Sequence, residues 1–289
     1  MTRFGTALLL ACACRRPPPP PVAPEPAPEL PPLPALVLAF ENELDREPPG
    51  PAEAPSESLL RWDFAPSARA AYRIDQHVLN RSTSKDKHGA AELRSSLRGD
   101  GYAEIFGSTS RVGAAHFKMT LRESIVNGQR QEVNRQPAAK IEYEVSEDGS
   151  IRESKKHSGG DSQALELLFA LPAKNLRHGE RAERPIRRTA AYRETGESVA
   201  QLTGFVLLRG RTCARLVTET TIDLAPPAAD GFGIGRMRTK TVAYFDVRDR
   251  RFLQSEAAAS YAWHSRQLIQ GVWTVGTLES HTLLRARWE

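Results

Sequence analysis

Three cysteines and seven histidines are the side chains with the most chemistry to offer in this 289-residue chain. Cys12 and Cys14 end the apolar run Phe4-Gly5-Thr6-Ala7-Leu8-Leu9-Leu10-Ala11, which a single cation, Arg3, precedes. That layout is a targeting segment. The run is far shorter than the roughly 20 apolar residues a permanent span needs, so it is read by an export machinery and removed. Cys213 stands alone in Gly210-Arg211-Thr212-Cys213-Ala214-Arg215-Leu216-Val217, with no second body cysteine for an intradomain disulfide, and reads as a buried strand residue. His77, His88, His116, His157, His178, His264 and His281 are scattered without metal-ligand spacing. No His-Glu-x-x-His, Cys-x-x-Cys, Gly-x-Ser-x-Gly or phosphate loop occurs. No metal, cofactor or catalytic residue is predicted, and an enzyme is disfavoured.

Leu9-Leu10-Ala11-Cys12 resembles the lipobox of bacterial lipoproteins, in which a small residue precedes the cysteine that is acylated before cleavage. The resemblance implies a signal peptide over 1–11 and a palmitate-type anchor on Cys12. Cys14 fits less well, because Ala11 would then stand where the lipobox usually has leucine; an ordinary secretory signal is the alternative. By similarity to proteobacterial lipoproteins, Ala13 rather than Asp after the anchor implies the outer membrane of the cell envelope. Several acyl chains, at about 0.8 kcal/mol per buried CH₂, make such anchoring lasting.

Residues 12–58 hold most of the proline, including Pro17 to Pro21 unbroken and Pro48-Pro49-Gly50-Pro51. Proline fixes φ and removes a donor, so this stretch reads as a disordered tether. Arg15 to Pro34 as polyproline II would reach on the order of 60 Å at about 3.1 Å per residue. Ala35 to Leu44 interrupts it with apolar residues, suited to a helical turn or two docked on the domain.

From Leu59 the pattern has period two. Ala115, Phe117, Met119 and Leu121 alternate with His116, Lys118, Thr120 and Arg122; Tyr72, Ile74 and Val78 alternate with polar residues, as do Ile141, Tyr143 and Val145. Gly99-Asp100-Gly101, Asn127-Gly128 and Asp148-Gly149 read as turns between strands. A second series of strands covers 187–193, 199–208, 213–224, 236–247, 252–264 and 272–287. Asp161 to Ala170 breaks the rhythm: Asp161 or Ser162 caps a short helix that brings Leu165, Leu168 and Phe169 to one face. The prediction is an all-β domain over 59–289, mainly antiparallel: a curled meander or half-barrel of about ten strands with one short covering helix.

Leu171-Pro172, Gly179-Glu180, Tyr244-Phe245-Asp246-Val247 and Phe252-Leu253-Gln254-Ser255 together resemble uncharacterised exported proteins with a curled antiparallel sheet. That sheet is similar to the half-barrel of the carriers and receptors of the Lol lipoprotein pathway. The departures are Ala182, where an aromatic follows Gly-Glu, and Asp249-Arg250, where a glycine sits in the last hairpin. The resemblance implies a fold and not an activity.

The net charge of +5 gathers on strands, and Arg236, Arg238 and Lys240 share one face. They form a candidate basic patch for anionic envelope polymers or head groups, or a solvated sheet face. Export and the lack of interleaved aromatics disfavour nucleic acid. Two readings of function follow. In one, Tyr72, Ile74, Phe117, Met119, Leu121 and Tyr143 gather on a concave face that holds an acyl chain or a lipoprotein segment. In the other, that face is packed solid and the chain is a structural or interaction protein of the envelope.

Overall fold

The alternation from Ala115 to Leu121 lies within a 15-residue strand of the computed structural model. The structure describes residues 27–56, 59–64, 69–107, 112–133, 141–153, 162–172, 174–189, 193–225, 233–269 and 272–289. Cys12, Cys14, residues 1–26 of the leader and tether, and Asp161 lie outside the described residues. The first strands are β1 (Arg69–Asp86), β2 (Gly89–Gly107), β3 (Val112–Val126), β4 (Gln129–Gln131), β5 (Ile141–Ser146) and β6 (Ile151–Glu153). After α1 (Ser162–Phe169) come β7 (Arg181–Thr189), β8 (Arg193–Leu208), β9 (Arg211–Ala225), β10 (Gly233–Asp246), β11 (Arg251–Ile269) and β12 (Val272–Trp288). All belong to one curled antiparallel sheet in the order β6-β5-β3-β2-β1-β12-β11-β10-β9-β8-β7, with β4 beside β3. The predicted half-barrel with one short helix is what the chain forms.

Its topology differs from one continuous meander. β1 to β6 run outward from the centre, the chain crosses through α1, and β7 to β12 return until β12 pairs with β1 from Tyr72↔Trp288 to Lys85↔Val275. Asn127-Gly128 is a turn as expected, with φ of 49° and 80° suited to a type I′ hairpin. Gly99-Asp100-Gly101 is not a turn and lies inside β2. The glycines serve close approach: a Cβ at Gly101 would collide with the Met119 side chain laid across it. The turn is instead at 86–89, where Asp86 Oδ1 accepts the His88 and Gly89 N–H groups at 2.7 and 3.1 Å. The strand expected over 187–193 is the end of β7 and the start of β8.

Each face of the sheet has its own cover. On the concave face Tyr72, Ile74, Ala103, Ile105, Phe117, Phe245 and Phe252 are buried beneath α1, which contributes Leu165, Leu168 and Phe169. Residues 59–64 enter this core from the end of the sheet, placing Leu60, Trp62 and Phe64 in it. Their backbone is held by Trp62 N–H on Glu147 O (2.8 Å) and by the Arg250 guanidinium on Arg61 O and Trp62 O (both 3.0 Å). On the convex face a second cluster, including Val206, Cys213, Val242, Tyr244, Leu253 and Leu283, is covered by Phe40 and Leu44.

The free tether expected over 12–58 is therefore corrected for its described part. Residues 28–52 form a strap along the convex face. Arg266 donates to Pro28 O at 2.8 Å, His264 Nδ1 meets Pro31 O at 2.9 Å, and Ser260 donates to Val37 O at 2.7 Å. A 3-10 turn at Glu41–Glu43 follows, and then Pro51 bridges Val206 on β8, beyond the reach of β7. Proline content weakens hydrogen-bonded secondary structure, yet leaves carbonyls free to accept from side chains, which is how the strap is held.

Candidate functional site

α1 has eight residues and so extends about 12 Å, whereas the 19 residues of β11 extend about 60 Å. The helix cannot cover the concave face. Beside it lies a cavity of about 330 Å³, walled by β7 to β10, the Gly149–Ile151 turn and one side of α1. Adjacent strands supply a threonine ladder: Thr218 faces Thr241, and Thr220 faces Thr239. Leu216 and Ala243 lie at its inner end, while Ile186, Ile222 and Met237 form a small apolar cluster farther along, with Leu224 and Tyr261 packed against it. Two of the four hydroxyls are spent on the protein: Thr241 donates to Leu167 O of α1 at 3.0 Å, and Thr220 donates to Ser198 Oγ at 2.9 Å. The wall is thus less polar than four threonines suggest. Glu166, Arg184 and Glu194 bring charge to its lining.

The residues predicted to face a ligand fall elsewhere. Tyr72, Ile74, Phe117 and Tyr143 are core, with the Tyr72 ring 4.7 Å from Phe169 and its hydroxyl donating to Phe252 O at 3.0 Å. Burial pushes the Tyr72 phenol above its ordinary range. Met119 packs against that core across Gly101, and Leu121 is exposed. The cavity residues Thr218, Thr220, Thr239, Thr241, Ile222 and Met237 escaped sequence reasoning. Their signal was present as threonine at period two in two neighbouring strands, but only the β9–β10 register brings the pairs together.

The candidate basic patch is on the convex face, where Arg236 and Lys240 pair with acids. Arg236 meets Asp223 at 2.6 Å; Lys240 meets Glu41 of the strap at 2.6 Å and Glu219 at 3.8 Å. The Lys240 hydrogen bond holds the Glu41 carboxyl below its usual range, with Arg238 adding a weaker pull. Farther along, Asp45 accepts from Arg215 Nε at 2.9 Å and from the Tyr244 hydroxyl, while its own N–H donates to Glu256 Oε2 at 2.8 Å. Lys240 and Arg215 thus seat the strap.

Cys213 is buried and its thiol is pushed up to about 12, chiefly by burial and then by Asp246, so it carries no thiolate near neutral pH. Among the described residues no group of three His, Cys, Asp or Glu side chains is placed to hold a metal ion, and no helix is long and apolar enough to cross a membrane.

Sheet, helix and cavity together define an antiparallel half-barrel with a partly open concave face. No protein-family model and no curated protein matches the chain in sequence. Among solved structures it is similar to the P. putida toluene transporter TodX, at 7% identity and a TM-score of 0.23, over 78% of this chain and 91% of that one. It is also similar to a DUF1329 family protein from Desulfovibrio piger (12% identity, TM-score 0.12) and to a domain named for outer membrane lipoprotein sorting from Vibrio parahaemolyticus (10%, TM-score 0.14). Each of these two matches covers 74% of this chain and 85% of the other. At these TM-scores the likenesses carry no argument about function.

Proposed function

We propose that the chain is an exported envelope lipoprotein, acylated at Cys12, whose noncatalytic half-barrel holds an apolar ligand in the concave cavity beside α1. An acyl chain or an apolar segment of another lipoprotein is the ligand class. The observation that carries this reading is the mismatch between a 12 Å helix and a 60 Å sheet, which leaves a recess of about 330 Å³ at the lower end of the range for ligand sites. The apolar cluster of Ile186, Ile222 and Met237 gives that recess a hydrophobic wall, and methionine adapts to irregular occupants.

Displacement of a fluorescent fatty acid from the purified protein tests it. Thr218→Trp, which fills the recess from β9, is expected to weaken binding at least tenfold while leaving the β-type circular dichroism spectrum and the unfolding midpoint near those of the parent. Absence of saturable binding by the parent at micromolar concentrations would leave the second reading, a structural envelope protein with a filled core.

The anchor is tested separately. Replacing Cys12 by alanine is expected to abolish acyl labelling and release the protein from membranes, and replacing Cys14 is expected to leave both unchanged. Membrane retention of the Cys12 variant with its label intact would overturn the assignment.

A further inference from the structure

The ends of β11 and β12 carry partly exposed apolar residues. Leu268 is 50% exposed and Ile269 is 51% exposed, whereas Phe252, Leu253, Ala257 and Ala258 earlier on the same strand are buried. Across the hairpin Leu268 pairs with Trp273 and Ile269 pairs with Val272. Successive residues of a strand point to opposite faces, so the first pair lies on one face of the ribbon and the second on the other. A protein partner docking on the sheet would need one apolar face. A ribbon end that is apolar on both faces suits a medium that surrounds it.

Two further observations fix what that medium is. The described chain begins here: Arg266, two residues before Leu268, holds Pro28 O at 2.8 Å, and Cys12 lies 16 residues earlier in the sequence. Cations also stand beside the apolar group, with Asp86 between two of them. Arg266 lies on β11, while Lys85 pairs with Val275 of β12 and stands at the start of the 86–89 turn that also bears Lys87. Tryptophan and aliphatic residues next to Lys and Arg are the composition of a membrane-interface contact.

From this juxtaposition we propose that the ends of β11 and β12 form a second membrane contact, with Leu268, Ile269, Val272 and Trp273 entering the interface of an anionic bilayer. The inference rests on the anchor reading for which end faces the membrane, but the contact needs no acyl group. It sets the half-barrel upright on the bilayer, the opposite end of the sheet pointing away.

The test uses the full chain with Cys12→Ser and Cys14→Ser, so that no acyl group attaches and buried Cys213 is the sole native thiol. An environment-sensitive dye is placed at Ile269→Cys or, as the control at the far end of the sheet, at exposed Leu207→Cys. Vesicles of phosphatidylethanolamine and phosphatidylglycerol contain brominated acyl chains. The dye at 269 is expected to shift to the blue and lose at least half of its emission, while the dye at 207 changes little. Adding Leu268→Asp is expected to reduce the quenching at 269 several-fold without changing the circular dichroism spectrum. Equal response at 269 and 207 would overturn the proposal. So would a blue shift at 269 that depends on protein concentration and not on vesicles, which would mark a contact between two copies. Loss of acyl labelling on Cys12→Ala bears on the anchor and leaves this result intact.

Discussion

Trp62→Ala is expected to lower the stability of the domain by about 3–5 kcal/mol, the range for removing a large aromatic side chain from a packed core. Its ring lies 5.3 Å from Phe252, 6.0 Å from Phe64, 6.3 Å from Phe169 and 6.4 Å from Phe245, so one residue joins α1, β10, β11 and the entering chain. Among the described residues the indole N–H has no hydrogen-bond partner, and the contribution is therefore one of area and ring geometry. Trp62→Phe keeps most of that area and is expected to cost under about 1.5 kcal/mol. Urea unfolding followed by circular dichroism measures both. A cost under 1 kcal/mol for the alanine variant would show that residues 59–64 merely lie against the core.

Asp45→Ala is expected to destabilise by about 2–3 kcal/mol and to free the strap. Breaking a buried ion pair from one side leaves the other charge uncompensated, and here Arg215 keeps only Thr203 Oγ1 while the Tyr244 hydroxyl loses its acceptor. The figure is below that for a fully buried pair because the Arg215 side chain keeps 26% exposure. Asp45 also has φ of 52°, which aspartate and asparagine tolerate better than alanine. Asp45→Asn, which retains that backbone tolerance, should therefore cost less. Proteolysis within residues 28–52 is expected to accelerate in the alanine variant while the body from β1 onward persists; unchanged cleavage would refute the role given to Asp45. A pH dependence follows from the same contact. Burial, and then the bond to Asp45, push the Tyr244 phenol above its ordinary range. An unfolded tyrosine ionises near pH 10, so this stabilisation is complete below about pH 10 and declines above it. Tyr244→Phe should flatten that alkaline decline.

Period-two alternation made the strands legible, because burial on one face imposes it locally; the helix was legible from Leu165, Leu168 and Phe169 at helical spacing. What stayed hidden was non-local. The pairing of β1 with β12 joins residues more than 200 positions apart and leaves no mark in either strand. Gly99-Asp100-Gly101 has the composition of a turn, and only the Met119 side chain laid over Gly101 explains its place inside β2. The strap is hidden in the sequence for a related reason. Composition reports that Pro28 and Pro31 form no regular structure, but not that Arg266 and His264 stand opposite their carbonyls. The concave site was read from the residues of highest hydrophobicity, Tyr72, Phe117 and Tyr143, and those are the ones the core consumes. The recess was left to the less apolar threonine strands.

The two segments that flank β8 on its outer side bear on how this sheet avoids polymerising. β7 covers β8 from Arg193 to Gln201, and the strap takes over at Val206. Each covering segment contains a proline, Pro185 in β7 and Pro51 in the strap, and each proline lacks the N–H that a further strand would have to engage. β7 adds charge at Arg181, Glu183, Arg184 and Arg187. An unclosed sheet with an unguarded margin is a template for fibre growth at high local concentration, the condition of proteins crowded on a surface. Here the margin ends in groups that cannot propagate a ladder, so release of the strap would reopen the Phe205–Leu207 stretch of β8 to strand addition.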